Sequence, residues 1–79
     1  LLADKITLFP NPASDFLQIE TDIFPKKEAV RMSIFNVLGE KVLAQDFSNE
    51  IDISVLPVGS YFLQFENDKE MIVKRFAKQ

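Results

Sequence analysis

The stretch "VRMSIFNVLGEKVLAQ", residues 30–45, decides the fold, because it reads in two ways. Val30, Ile34, Val37 and Lys41 fall at helical spacing. Against a helix stands Gly39 in mid-pattern, which costs a helix interior about 1 kcal/mol relative to alanine. The β-branched Val30, Ile34, Val37 and Val42 also favour extended backbone, and Val30, Met32 and Ile34 alternate with Arg31 and Ser33 at the period of a strand. The expectation is a strand over 30–36 and a partner over 41–45. Val37-Leu38-Gly39-Glu40 is then the tight connection, with Gly39 supplying the positive φ that a bulged hairpin turn requires.

The same rhythm runs outward in both directions. Short apolar segments at 6–9, 16–20, 50–53, 60–66 and 71–77 are separated by turn-forming residues, the spacing of a small all-β sandwich. Leu17 and Ile19 share one face of the second segment. In 60–66, Tyr61, Leu63 and Phe65 share one face, with Phe62, Gln64 and Glu66 on the other. Asn67-Asp68-Lys69 is a turn that makes the last two strands an antiparallel hairpin. The stretch 21–29, with Pro25 and the run Lys26-Lys27-Glu28, is a polar loop, and 54–59 is a second loop. Seven strands in 79 residues leave no room for helical crossovers, so the sheets are expected to be largely antiparallel.

"PNPASD", residues 10–15, punctuates the first two strands. Pro10 has no amide to extend a ladder, and each proline pushes the residue before it, Phe9 or Asn11, into an extended conformation. Asn11-Pro12-Ala13-Ser14 suits a type I turn, with asparagine first and proline second.

Composition narrows the chemistry. A single domain of this size buries only about 60 % of the surface its unfolded chain exposes. With no cysteine, neither a disulfide framework nor a zinc knot adds stability, so the 47 % apolar content, eight phenylalanines included, is expected to supply the core. The net charge of −3, with both signs interspersed, argues against nucleic acid or an anionic membrane as partner. No apolar run approaches the roughly 20 residues of a membrane helix. The opening Leu1, without an initiator methionine, is expected to mark a piece of a longer protein.

Histidine and cysteine are both absent, which removes the usual general base, metal nitrogen ligand and thiolate nucleophile. Ser14, Ser33, Ser48, Ser54 and Ser60 lie in turns or strand margins without a motif, and Gly39 and Gly59 cannot make a phosphate loop. The expectation is a domain that is not an enzyme and takes no cofactor. Asp46, Asn49, Glu50 and Asp52 raise calcium, but they lack an EF-hand's spacing and central glycine, and a solvated hairpin is the preferred reading. Tyr61-Phe62 with Phe65 raises a sugar-stacking platform, against which core packing is preferred. Phe62 is the exception, since its face is opposite that of Tyr61. Lys74, Arg75 and Lys78 gather around Phe76 near the end. Such cations either protect an edge from unwanted pairing or serve recognition, for which a free edge offers strand addition. The same edge allows pairing of two copies.

Taken together, "LFPNPASDFLQI" at 8–19, "MSIFNVLGEKV" at 32–42, "IDISVLPVGSYFLQF" at 51–65 and "KRFAK" at 74–78 resemble the C-terminal sorting domain of the type IX secretion system, type A. The family pattern falls on Pro10, Asn11 and Pro12, on Gly39, on Leu56, Pro57 and Gly59, on Tyr61, and on Lys74, Arg75 and Phe76. Pro57 presets a turn, Gly59 relieves its strain, and Leu56 plugs the end of the sandwich. The resemblance implies a seven-stranded immunoglobulin-like antiparallel β-sandwich over 6–79, with 1–5 a linker from an upstream cargo domain. It implies an address: passage of a periplasmic cargo of a Gram-negative bacterium through an outer-membrane translocon, then removal by a sortase-like protease and attachment of the cargo to the cell surface. The recognition candidates are Lys74, Arg75, Phe76 and Lys78. An appended adhesion or carbohydrate-binding module is the alternative.

Overall fold

The computed structural model describes residues 2–24 and 29–79. Most of the charged loop run, Pro25 and Lys26-Lys27-Glu28, and Leu1 of the expected linker lie outside these residues. The remainder of that linker is a single 3-10 turn, Leu2–Lys5, whose Ala3 packs against the core.

Among the described residues there are seven strands: β1 Thr7–Phe9, β2 Phe16–Glu20, β3 Arg31–Asn36, β4 Lys41–Asp46, β5 Glu50–Asp52, β6 Gly59–Glu66 and β7 Met71–Lys78. They form a three-stranded sheet, β1-β2-β5, and a four-stranded sheet, β4-β3-β6-β7, each antiparallel throughout. Pairing β4 with β3, and not with β5, separates this arrangement from the constant-type immunoglobulin pattern, in which the fourth strand joins the first, second and fifth. The Cα radius of gyration, 11.7 Å, equals the roughly 11.6 Å of a compact chain this long, so the two sheets are packed face to face.

Residues 30–45 form the β3–β4 hairpin, and its turn is built by one side chain. Asn36 Oδ1 accepts the amides of Leu38 and Glu40 at 2.9 and 3.0 Å, while the Gly39 amide donates to the Asn36 carbonyl at 3.0 Å. Gly39 has φ 84°, the left-handed conformation that closes a bulged turn of this kind. The register then slips: Ile34 faces Leu43 but Phe35 faces Lys41, which leaves Val42 as the extra residue.

The core takes one face of every strand except β4, whose Leu43 packs against it only partly buried. Leu8, Leu17, Ile19, Met32, Ile34, Ile51, Tyr61, Leu63, Phe65, Ile72 and Phe76 are buried there, joined by Ile6, Val30 and Ile53 just outside the strands. Each such side chain contributes about 1.5–3 kcal/mol relative to exposure. Loop residues close one end: Phe24 and Phe47 meet Phe65 at centroid distances of 5.7 and 6.3 Å and each other at 6.0 Å. Composition predicted eight core phenylalanines, and here the structure corrects it. Phe9 and Phe16 are 44 % and 47 % exposed, because the pleat turns each to the outer face of its sheet, where Phe62, 36 % exposed, was expected from its alternation with Tyr61.

Candidate functional site

The "PNPASD" corner is where the chain changes sheets. Leu8 pairs with Ile19 in the small sheet, yet five residues later Ala13 is bridged in parallel to Lys78 of the large one. Among the described residues no backbone hydrogen bond closes the type I turn expected at 11–14; Ala13 and the Asn11 side chain bond β7. The Ala13 amide donates to the Ala77 carbonyl at 2.9 Å, and the Gln79 amide donates to the Ala13 carbonyl at 2.8 Å. Asn11 Oδ1 accepts the Ala77 amide at 3.0 Å. Both X-Pro bonds of the corner, Phe9-Pro10 and Asn11-Pro12, are cis. Ala13 is fully buried, small enough to sit between the sheets where the crossing is made.

This clasp covers only part of the β7 edge. The Asn67 amide donates to the Glu70 carbonyl at the base of the β6–β7 hairpin, which fixes the parity of the ladder: Ile72, Lys74, Phe76 and Lys78 bond inward to β6. The amides and carbonyls of Met71, Val73, Arg75, Ala77 and Gln79 therefore point away from the sheet. Ala77 and Gln79 are taken by residues 11–13. Met71, Val73 and Arg75 have no backbone hydrogen bond on this side among the described residues, and the Leu2–Lys5 turn lies nearby against β7.

The tail residues divide accordingly. Phe76 is 1 % exposed and stacks on Tyr61 with centroids 5.6 Å apart and planes at 23°. As a recognition candidate it is corrected by the structure: the pleat points it into the core, where no partner reaches it. Arg75 is exposed on the outer face, and Lys74 and Lys78 are half-buried. Lys74 lies on the same face as Ile72 and Phe76, an inward-facing cation on an edge strand, and such a charge opposes indiscriminate strand pairing. With Arg75, Asn11, Asp4 and the 6–8 segment it lines an open depression of about 330 Å³ between the two sheet edges.

The second motif forms the end of the sandwich beside the clasp. Tyr61 Oη donates to the Pro57 carbonyl at 2.6 Å, a tyrosine corner of the kind found in immunoglobulin-like domains. Leu56 is buried and Pro57 exposed, and Gly59 begins β6 at φ 157°, a backbone conformation that residues with a side chain rarely adopt. Both glycines are therefore held where a side chain would strain the backbone.

The remaining sequence candidates lie apart. Asp46 pairs with Arg31 at 2.7 Å, and the Asn49 amide group donates to the Ile19 carbonyl at 2.9 Å. Glu50 accepts from Gln18 at 2.5 Å. Asp52 accepts from the Ser54 hydroxyl and amide, at 2.6 and 2.9 Å, which hold its carboxyl below the ordinary value. Among the described residues no three acidic side chains gather as a metal site. Phe62 faces Phe35 across the ladder on the outer face, with Lys41 Nζ 5.8 Å from the Phe35 centroid and Arg75 on the far side of Phe62. Sequence reasoning missed Ala13 and the role of Asn36. A small apolar residue inside a polar turn was the only signal for the first, and an asparagine three places before a glycine the signal for the second.

Two sheets joined through a tyrosine corner, with the first strand crossing over to clasp the last, define an immunoglobulin-like β-sandwich module. The chain belongs to the family described as the secretion system C-terminal sorting domain, that of type IX secretion, whose profile matches residues 7–79. Among solved structures it is similar to PorZ, an essential bacterial surface component of the type IX secretion system of Porphyromonas gingivalis. The TM-score is 0.73 at 16 % identity, covering 96 % of this chain and 12 % of the PorZ chain. At that identity the likeness speaks for the fold, and this chain spans only that small share of PorZ. No curated protein matches. Proteins that carry such a sorting domain are secreted or surface-attached, and the family is generally non-catalytic.

Proposed function

We propose that this chain is a folded, non-catalytic address that sends a cargo, joined upstream through residues 1–5, from the periplasm of a Gram-negative bacterium through the type IX translocon. A sortase-like protease then removes the domain, at or before that linker, and the cargo is attached to the surface. Membership of the sorting-domain family across residues 7–79 is the observation that carries this reading. Support also comes from the motif positions. Pro10, Asn11 and Pro12, with Leu56, Pro57, Gly59 and Tyr61, all lie around the clasped end of β7, beside Lys74, Arg75 and Lys78. On this reading the motifs hold one recognition surface in shape and do not form a reactive centre.

The test is a passenger routed to the periplasm and fused to this chain in a strain with the secretion system. The intact fusion is expected on the surface or in the medium. Removal of residues 73–79, which deletes the clasp partners Ala77 and Gln79, is expected to leave the passenger in the periplasm. Normal delivery of the truncated fusion overturns the reading.

A further inference from the structure

We propose that the open edge of β7, from Met71 to Arg75, receives an extended acidic segment of a partner protein as an added strand, which stops where residues 11–13 already hold the edge. The proposal rests on the sorting-domain reading and names the chemistry of the partner that reads the address.

The edge has both requirements of strand addition. Backbone groups are available, because parity turns Met71, Val73 and Arg75 outward while Ala77 and Gln79 are occupied. Side-chain pockets are available too. On the outer face, Met71 and Val73 are exposed apolar residues beside which an incoming side chain buries surface, and Arg75 follows them. On the inner face, Lys74 opens into the depression lined by Asp4, Asn11 and the 6–8 segment, where two cations outnumber the one carboxylate. Among the described residues neither Lys74 nor Arg75 is in an ion pair, the one there joining Arg31 to Asp46. An incoming strand with carboxylates at the positions beside Lys74 and Arg75 meets both.

Charge also selects the occupant. A second copy adding through its own β7 brings the same cations to the same edge. Its acidic edge, β5, is only three residues long, and its carboxylates are engaged by Gln18 and Ser54. An acidic strand from a different protein has neither defect. The inward Lys74 turns away neutral or basic strands, and the clasp fixes how far along β7 an accepted strand extends.

The test uses the isotope-labelled chain and a capped seven-residue valine peptide with two adjacent central glutamates, one for each face of the added strand. Hydrogen exchange at the Val73 and Arg75 amides is expected to slow at least about tenfold at saturating peptide, with Ala77 and Gln79 unchanged. A peptide with lysine for glutamate is expected to have no effect. Val73→Pro removes an amide that the fold does not use, and is expected to abolish the response while the other amide signals stay in place. A chain carrying both Lys74→Glu and Arg75→Glu is expected to exchange its preference for the lysine peptide. Unaltered exchange at Val73 and Arg75 overturns the proposal, as does equal response to both peptides, a response confined to Phe35 and Phe62, or self-association of the chain through this edge. In the export assay, normal delivery with Val73→Pro refutes strand addition and leaves the address reading standing. Failure of the unaltered chain to export its passenger removes the address reading itself.

Discussion

Asn11 and Ala77, 66 positions apart, are joined by a side-chain-to-backbone hydrogen bond of 3.0 Å that sits beside the parallel bridge of Ala13 to Lys78. Asn11→Ala deletes the acceptor. The bond is solvent-exposed, so the expected loss is about 1 kcal/mol, seen as a fall of about 4–8 °C in Tm for a domain of this size. Asn11→Asp keeps an acceptor oxygen and is expected to stay near the parent in thermal denaturation. Equal loss in both variants would mean that the hydrogen bond is not what asparagine supplies there.

Tyr61 ties the 54–59 loop to the core. Tyr61→Phe retains the stack on Phe76 but leaves the Pro57 carbonyl without its donor. A cost of about 1 kcal/mol is expected in urea denaturation, with an unchanged m-value, because the surface buried is the same.

At Gly39 an added Cβ meets nothing within 4 Å, so the penalty of Gly39→Ala is that of the left-handed backbone alone. About 1–2 kcal/mol is expected. Gly39→Asn tolerates that conformation better and is expected to lose less in the same chemical denaturation series.

The Asp52 carboxyl, held low chiefly by the Ser54 hydroxyl and then by the Ser54 amide, is expected to titrate below the ordinary 3.8 when followed by NMR. A lowered folded-state value means that the group stabilises the fold fully above the unfolded value. That contribution fades as pH falls from about 3.8 through the lowered value. Ser54→Ala is expected to move the titration midpoint up toward 3.8. It also shrinks the acid-induced loss of stability in that window.

The strands were legible because the signals that mark them are local. Tyr61, Leu63 and Phe65 repeat at the period of a pleat, and Gly39 interrupts any helix through residues 30–45. The clasp was not legible, because it joins Asn11 and Ala13 to Ala77 and Gln79, and nothing at either end of the chain names the other. Charge also misled: the cations around Phe76 drew it into a recognition surface, although Ile72 and Phe76, four residues apart on a strand, share one face. The exposed Phe9 and Phe16 show the same limit in reverse. Residue type predicted burial, and strand parity overruled it.

The clasp also gives this fold a sense of completeness. Asn11 and Ala13 are synthesised before Ala77 and Gln79 and wait for them to complete the clasp. A polypeptide that stops before residue 77 leaves the corner unfastened and the β7 rim bare. Arrival of the last strand is thus registered in hydrogen bonds at the first corner.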